Sequence, residues 1–201
     1  MKKLAFALAL LLILAAGTYW SGGGSGNSGN AVGKGPNPLE NEKPGSGTII
    51  KVTGLVERPY NLTYDKLTAL PSRNVTAVLY CVDAPRTPRK NGTWTGVPLK
   101  ILLERAGVKS GAYKIALYAN DGYTTDLFVQ WVLDNNNVIV AYKFNREPIT
   151  PRLVVPGMWG YKWIKGLKEI RLVDYDFKGT WERVGYPDYA YTDTEGPKGA
   201  R

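Results

Sequence analysis

The chain has 201 residues, one cysteine, no histidine and a net charge of +9, from 26 Lys and Arg residues against 17 Asp and Glu. This inventory excludes intramolecular disulfides, cysteine–histidine zinc sites with four protein ligands, protein-ligated iron–sulfur clusters and histidine-dependent catalytic triads. The basic residues are scattered and form no nucleic-acid-binding motif, so we expect no nucleic-acid partner and instead an anionic substrate or cofactor.

Residues 1–20 predict a signal peptide or an N-terminal membrane anchor. Two lysines at positions 2 and 3 precede an unbroken apolar run at 4–16, and small residues follow at 15–17. This is the order of a cleavable export signal. If the signal is not cut, residues 4–20 reach the lower limit of a membrane-spanning helix. We therefore expect an extracytoplasmic protein, either secreted or anchored to the outer face of the cytoplasmic membrane.

The next segment, residues 21–47, is rich in Gly, Ser, Asn and Pro and nearly lacks large apolar side chains. Such a composition buries too little surface to offset its ordering entropy and predicts a flexible linker. The folded domain is expected at 48–195, which is long enough for one sizeable core. Residues 196–201 are expected to form a frayed tail.

The first half of this domain predicts two strands and two helices. Ile49 to Val56 alternates apolar and polar residues as a strand does, and LTYDKLTALP predicts a short helix capped by Asn61 or Thr63. NVTAVLYC predicts a strand that carries Cys81 at its carboxyl end. VPLKILLERAG predicts a helix that ends at Gly107. Its inward-facing residues are expected to be Val97, Ile101, Leu102 and Leu103.

The second half predicts strands only. Five runs are expected to be strands, at residues 113–119, 124–129, 137–142, 152–155 and 168–175. Turns are expected between them at DGY, DNN and NREPITP. Because no regular strand–helix–strand alternation or internal repeat is present, the class is α+β, with mixed, mainly antiparallel sheets and a few short helices.

Four stretches carry a family resemblance when taken in order. They are VTGLVERPYNLTYDKLTALP; AVLYC with the later WTGVPLKILLERAGV; ANDGYTTDL; and RLVVPGMWGYKWIKGLKEIRLVDYD followed by GTWERVGY. Together they resemble the molybdopterin-binding domain of the sulfite oxidase family, which includes the bacterial periplasmic methionine-sulfoxide reductase catalytic subunit. The resemblance covers residues 48–190, and it implies the sulfite-oxidase-like molybdopterin-binding fold.

The resemblance also implies a function and a site. The protein would be a molybdenum-cofactor oxidoreductase that transfers an oxygen atom, with two electrons, to or from a small oxyanion or a sulfoxide-type substrate. Its cofactor would be Mo-molybdopterin, with molybdenum held by the pterin dithiolene and by Cys81, the catalytic and metal-ligating residue. A thiolate is a suitable ligand for such a sulfur-rich centre. The implied cofactor-binding residues are Asn120, Arg152, Trp163, Ile164 and Lys165.

No second redox centre is encoded, so electrons would pass to or from a separate partner, a cytochrome or another redox carrier. Arg86, Arg89 and Lys90 are expected in a loop after Cys81, either lining a site for an anion or exposed to solvent. Trp94 and Trp181 are expected to pack in the core.

Alternatives to the enzyme remain open at this point. The segment NREPITPR lacks the histidine and paired glycines usual in the family, which favours a non-catalytic secreted binding module that has lost molybdenum. A thiol-based redox protein would use Cys81 as its nucleophile but lacks a resolving cysteine. A cysteine on an apolar strand is also often a small core residue, and an unpaired cysteine in an oxidising compartment can form an intermolecular disulfide.

Overall fold

The computed structural model of the chain describes residue 47 and residues 49–192, which belong to one unit. The predicted signal or anchor at 1–20, nearly all of the predicted linker and the predicted tail lie outside the described residues. The side chains at 49 and at 84–86 are also outside them. No helix within the described part of the chain has the length and hydropathy needed to cross a membrane.

The first sheet has five strands in the order β2-β1-β9-β5-β6. Its strands are β1 (Ile49–Gly54), β2 (Tyr60–Thr63), β5 (Lys114–Ala119), β6 (Thr124–Phe128) and β9 (Leu167–Val173). The pairing of β1 with β9 is parallel and the other pairings are antiparallel, so this sheet is mixed.

The second sheet has four strands, all antiparallel, in the order β3-β4-β7-β8. Its strands are β3 (Arg73–Cys81), β4 (Ala84–Pro98), β7 (Ile139–Phe144) and β8 (Glu147–Val154). In β3 the side chains of Val75, Ala77 and Leu79 are buried while Asn74 and Thr76 are exposed, as the two-residue period of a strand requires.

The helices are short. They are α1 (Tyr64–Thr68), α2 (Leu99–Ala106) and α3 (Val129–Leu133), with 3₁₀ turns at Gly160–Lys162 and Glu182–Val184. The Thr63 hydroxyl accepts a bond from the Lys66 amide, so Thr63 is the cap of α1. Gly107 ends α2 with a φ of +70°, a conformation that favours glycine.

The helix α2 contributes to one buried cluster that also takes in side chains of both sheets. Of the four residues expected to face inward from this helix, Leu102 and Leu103 are fully buried and Ile101 is half-buried. Val97 is also fully buried but belongs to β4, because the helix begins only at Leu99. The predicted mixture of sheets and short helices is confirmed.

Three local predictions were wrong. The residues after Cys81 form the long strand β4 rather than a loop, because they pair with both β3 and β7. The expected NREPITP turn is limited to Asn145 and Arg146, both with positive φ, and β8 begins at Glu147. The second half does not consist of strands only, because Val129–Leu133 form α3, and the start of the predicted LTYDKLTALP helix lies in β2. Four or five residues show too little periodicity to reveal such short elements.

Candidate functional site

Cys81 lies at a hairpin whose geometry is irregular. It is the last residue of β3 and pairs with Ala84, the first residue of β4, across a two-residue turn. The pairing shifts register beside it, because Leu79 pairs with Lys90 whereas Tyr80 pairs with Pro88. Bulges of this kind redirect side chains near functional sites. Cys81 is half-buried, and its Sγ is 3.9 Å from the Asp83 Oδ2, to which it donates.

A cavity of about 300 Å³ opens at Cys81, a volume at the lower end of small-molecule sites. It is lined by Leu79, Cys81, Val82, Asp83, Arg89, Tyr123, Arg152, Gly160, Tyr161 and Trp181. The lining includes one thiol, two guanidinium groups and one carboxylate. The cavity can therefore combine a soft ligand with two fixed positive charges.

The two arginines reach the cavity from different strands. Arg89 is the β4 residue that the register skips between Pro88 and Lys90, so it has no partner on β3, and its exposed side chain lines the cavity. Arg152 belongs to β8, at the opposite edge of the sheet from β3. Its guanidinium lies 6.0 Å from the centre of the Trp94 ring on β4, so the side chain extends across the face of β7.

Of the other basic residues expected after Cys81, Lys90 lies over the Phe144 ring at 5.2 Å, and the side chain of Arg86 is outside the described ones.

The 3₁₀ turn at Gly160–Lys162 forms one aromatic wall, because it packs closely against the end of β3. A Cβ atom at Gly160 would lie only 2.7 Å from the Tyr80 carbonyl oxygen, so the approach requires glycine. This approach places Tyr161 beside the cavity. The Tyr161 hydroxyl donates to the Pro187 carbonyl at 2.8 Å, and the Tyr123 hydroxyl donates to the Tyr161 carbonyl at 2.7 Å.

Both tyrosine hydroxyls are held in the neutral form. Burial, reinforced by the negative charge of Glu182, raises the pKa of Tyr123 and the pKa of Tyr161 well above the ordinary value of 10.0. Each hydroxyl already donates its hydrogen to a backbone carbonyl. The two side chains therefore fix the wall of the cavity and are not placed to act as acids.

Three of the predicted cofactor-binding residues meet beside Gly166. The backbone of Arg152 pairs with that of Lys165, the residue before Gly166. The backbone amide of Asn120 donates to the Gly166 carbonyl at 2.9 Å, and the Asn120 side chain is exposed. The sequence places these residues up to 45 positions apart, and the fold brings them together with Arg152 extending into the Cys81 cavity.

Trp163 and Ile164 are placed differently, since both side chains are buried in the core. The indole of Trp163 donates to the Met158 carbonyl at 3.0 Å and packs against Trp94 at 5.7 Å. The Ile164 carbonyl accepts from the Leu153 amide at 2.9 Å. These contacts anchor the segment that carries Lys165, and the role of the two residues toward a cofactor stays a prediction.

Sequence reasoning did not identify Tyr123, Tyr161 or Trp181 as lining residues. Trp181 was expected only as core packing, and it is in fact half-buried at the cavity. Tyr123 belongs to the DGY motif that contributed to the resemblance. The only sequence signal for the other two was an aromatic residue inside a matched stretch.

The donor set fits Mo-molybdopterin. Among the described residues, no group of three or more His, Cys, Asp or Glu side chains could hold a metal ion. A metal at Cys81 would therefore take its other ligands from a cofactor, as the dithiolene of molybdopterin allows. The cationic side chains of Arg152 and Lys165 suit a phosphate group.

Comparison with known proteins gives an independent view of the chain. Residues 47–181 match the family model described as the oxidoreductase molybdopterin binding domain. The uncharacterized oxidoreductase YuiH of Bacillus subtilis is 33% identical over 143 residues, which cover 68% of this chain and 71% of YuiH. An NADH nitrate reductase of Solanum lycopersicum is 31% identical over 156 residues, which cover 60% of this chain and 17% of that enzyme.

The crystal structure of the sulfane dehydrogenase SoxCD from Paracoccus pantotrophus matches with a TM-score of 0.59 and 24% identity. The match covers 73% of this chain and 44% of the SoxCD chain, and it shows a shared fold. The chain thus spans most of YuiH but only a minor part of the nitrate reductase and less than half of the SoxCD chain.

Proposed function

This chain belongs to the family of oxidoreductases with a molybdopterin-binding domain, and from that premise we propose that it is an exported oxygen-atom-transfer enzyme of the sulfite oxidase type. The predicted family, fold and Mo-molybdopterin cofactor are confirmed at the level of the family. The proposal adds the ligand, the substrate class and the compartment. The observation that carries it is that Cys81, the only thiol of the chain, and Arg152 line the same cavity.

Cys81 is the proposed protein ligand of molybdenum. The bulged end of β3 holds its sulfur at the cavity. Arg152 and Lys165 supply positive charge for the pterin phosphate, and Asn120 supplies a polar side chain beside them. Trp163 and Ile164 keep the segment in place through their buried contacts.

The bound cofactor supplies two-electron oxygen-atom-transfer chemistry, and the protein positions the substrate and controls access to it. In the reducing direction the substrate loses one oxygen atom, which leaves as water after uptake of two electrons and two protons. The oxidising direction is the reverse. Arg89 is exposed at the cavity and is the proposed anchor for an oxyanion or for the oxygen of a sulfoxide. Tyr123, Tyr161 and Trp181 limit access of water.

Export and a separate electron partner are also part of the proposal. The basic and apolar start of the sequence supports an extracytoplasmic location, secreted or anchored to the outer face of the cytoplasmic membrane. The name of the nitrate reductase includes its electron donor, NADH, and this chain covers only 17% of that enzyme. We therefore place the electron source outside this chain, in a cytochrome or another redox carrier.

The test is the molybdenum and pterin content of protein produced in a host that makes the cofactor. Wild type is expected to contain near-stoichiometric molybdenum, Cys81→Ser is expected to lose or alter the metal, and Arg152→Gln is expected to retain less pterin. Arg146→Gln is the matched control, because it removes the same charge at an exposed residue outside the cavity. Absence of both molybdenum and pterin from folded wild type would refute the proposal.

One observation favours a second candidate, the non-catalytic secreted binding module. The segment NREPITPR lacks the histidine and the paired glycines that are usual in the family, so one contact to the cofactor is missing or replaced. The same experiment separates the two functions, since a binding module would remain folded and free of molybdenum beside a loaded control from the same host.

A further inference from the structure

A buried ionic network lies directly behind the cavity. The side chains of Lys162, Asp126 and Glu182 have no solvent exposure. The Lys162 Nζ donates to the Asp126 Oδ1 at 2.7 Å, to the Asp126 carbonyl at 3.0 Å and to the Glu182 Oε1 at 2.6 Å. The Thr125 hydroxyl also donates to the Glu182 Oε1, at 2.8 Å.

Each part of this network is attached to a different wall of the cavity. Lys162 directly follows Tyr161, and Glu182 directly follows Trp181, and both aromatic residues line the cavity. Asp126 lies on β6, which begins one residue after the third aromatic wall residue, Tyr123. The Lys162 ammonium therefore connects three chain segments that are far apart in the sequence. Beside it, the Thr180 amide donates to the Thr124 carbonyl at 2.9 Å.

A second buried lysine provides a contrast within the same cluster. Lys114 on β5 is also fully buried and also pairs with Asp126. Its other partners are Asp176 at 2.7 Å, Asp188 at 3.0 Å and the Phe177 carbonyl at 3.1 Å. Neither Lys114 nor these partners line the cavity.

We propose that Lys162, through its pair with Glu182, is a positioning residue that sets the width of the Cys81 cavity. The inference rests on the proposed function only in treating this cavity as the place where cofactor and substrate bind. The pair ties the 3₁₀ turn of Tyr161 to the segment of Trp181, while Asp126 ties both to β6. Lys114 stabilises the fold but does not determine the cavity.

The physical reason is that a buried charge tolerates little movement away from its partner. Loss of the Lys162 ammonium leaves Glu182 with the Thr125 hydroxyl as its remaining side-chain donor among the described residues. Burial already raises the pKa of Glu182 against the opposing influence of Lys162. Without the lysine, Glu182 takes up a proton or moves toward water, and in both cases the tie between the Tyr161 turn and the Trp181 segment is lost, so the cavity can widen.

The test uses Cys81 as a probe, since it is the only thiol in the chain. Full-length protein from a host that lacks the cofactor is alkylated with N-ethylmaleimide and with the bulkier N-pyrenylmaleimide. The measured quantity is the ratio of the two rate constants, bulky over small. We expect Lys162→Met to raise this ratio about tenfold, equivalent to about 1.4 kcal/mol less resistance to opening.

Lys114→Met is the matched control, because it removes the other fully buried lysine bound to Asp126. Both variants should lose thermal stability, and only Lys162→Met should change the ratio. If Lys162→Met does not fold, as judged by circular dichroism, Glu182→Gln replaces it, with a smaller rise expected.

An unchanged ratio in the folded Lys162 or Glu182 variant, or an equal rise in Lys114→Met, would overturn the inference. Since the protein in this assay carries no cofactor, a failure of the proposed molybdenum function would show separately, in the metal content of loaded wild type.

Discussion

The contact between Gly160 and the end of β3 allows a quantitative prediction. A Cβ atom added at Gly160 would lie 2.7 Å from the Tyr80 carbonyl oxygen and 3.2 Å from the Leu79 Cδ2. Ordinary contact begins at 3.4 Å, so Gly160→Ala requires the two segments to separate by 0.7 Å. The nearer atom belongs to the backbone and cannot rotate away. Overpacking of this kind costs about 1–3 kcal/mol.

For a domain of this size, that cost corresponds to a fall in Tm of about 2–12 °C. Differential scanning calorimetry on Gly160→Ala measures it. The same displacement moves Tyr161 away from Cys81, so alkylation of Cys81 by the bulky maleimide should become faster. Gly47→Ala is the control, since no atom lies within 4 Å of its added Cβ, and its Tm should not change.

A Gly160→Ala variant with the Tm and the alkylation rate of wild type would refute this reasoning. That result would mean that the turn is not pressed against β3 and that Tyr161 reaches the cavity for another reason. A fall in Tm without a change in alkylation would limit the role of Gly160 to stability.

Three further predictions concern the core, the ionic cluster and the cavity. Trp94→Ala should lower the free energy of unfolding in urea by about 3–5 kcal/mol, because the Trp94 ring is fully buried. A much smaller loss would contradict its place in the core. Burial alone would raise the pKa of Asp188, but hydrogen bonds from Lys178 and Lys114 hold that pKa below the ordinary 3.8. A carboxylate whose pKa is lower in the folded than in the unfolded protein stabilises the folded state at any pH above its unfolded pKa. This stabilisation is lost as the pH falls through the folded pKa. Asp188→Asn should therefore be less stable than wild type at pH 7. In thermal unfolding that difference should close as the pH falls below 3.8 and through the lowered folded pKa, and a difference independent of pH would show that the charge is not responsible. In loaded enzyme, Arg89→Gln should raise the KM for anionic substrates about tenfold, because a charged hydrogen bond to the substrate is lost, and should raise the KM for neutral sulfoxides less. Steady-state kinetics measures both values, and equal increases would exclude an anchoring role for Arg89.

The sequence by itself determined the residue types of the site and most of the elements that carry them. A single cysteine without histidine restricts the metal chemistry before any fold is known. The alternation in NVTAVLYC and the Gly107 stop of α2 predicted a strand and a helix end that the structure contains. These features are local, because strand alternation and helix capping depend on neighbours within a few residues.

The tertiary structure alone decided which of those residues act together. Arg89 faces the cavity because of a bulge that appears only when β3 and β4 pair. Arg152 reaches the cavity from the opposite edge of the same sheet. Trp181 lines it beside a glutamate that is held by Lys162. Such contacts join residues that are far apart in sequence, and no local pattern records them, because pairing register and packing are set by the whole chain at once.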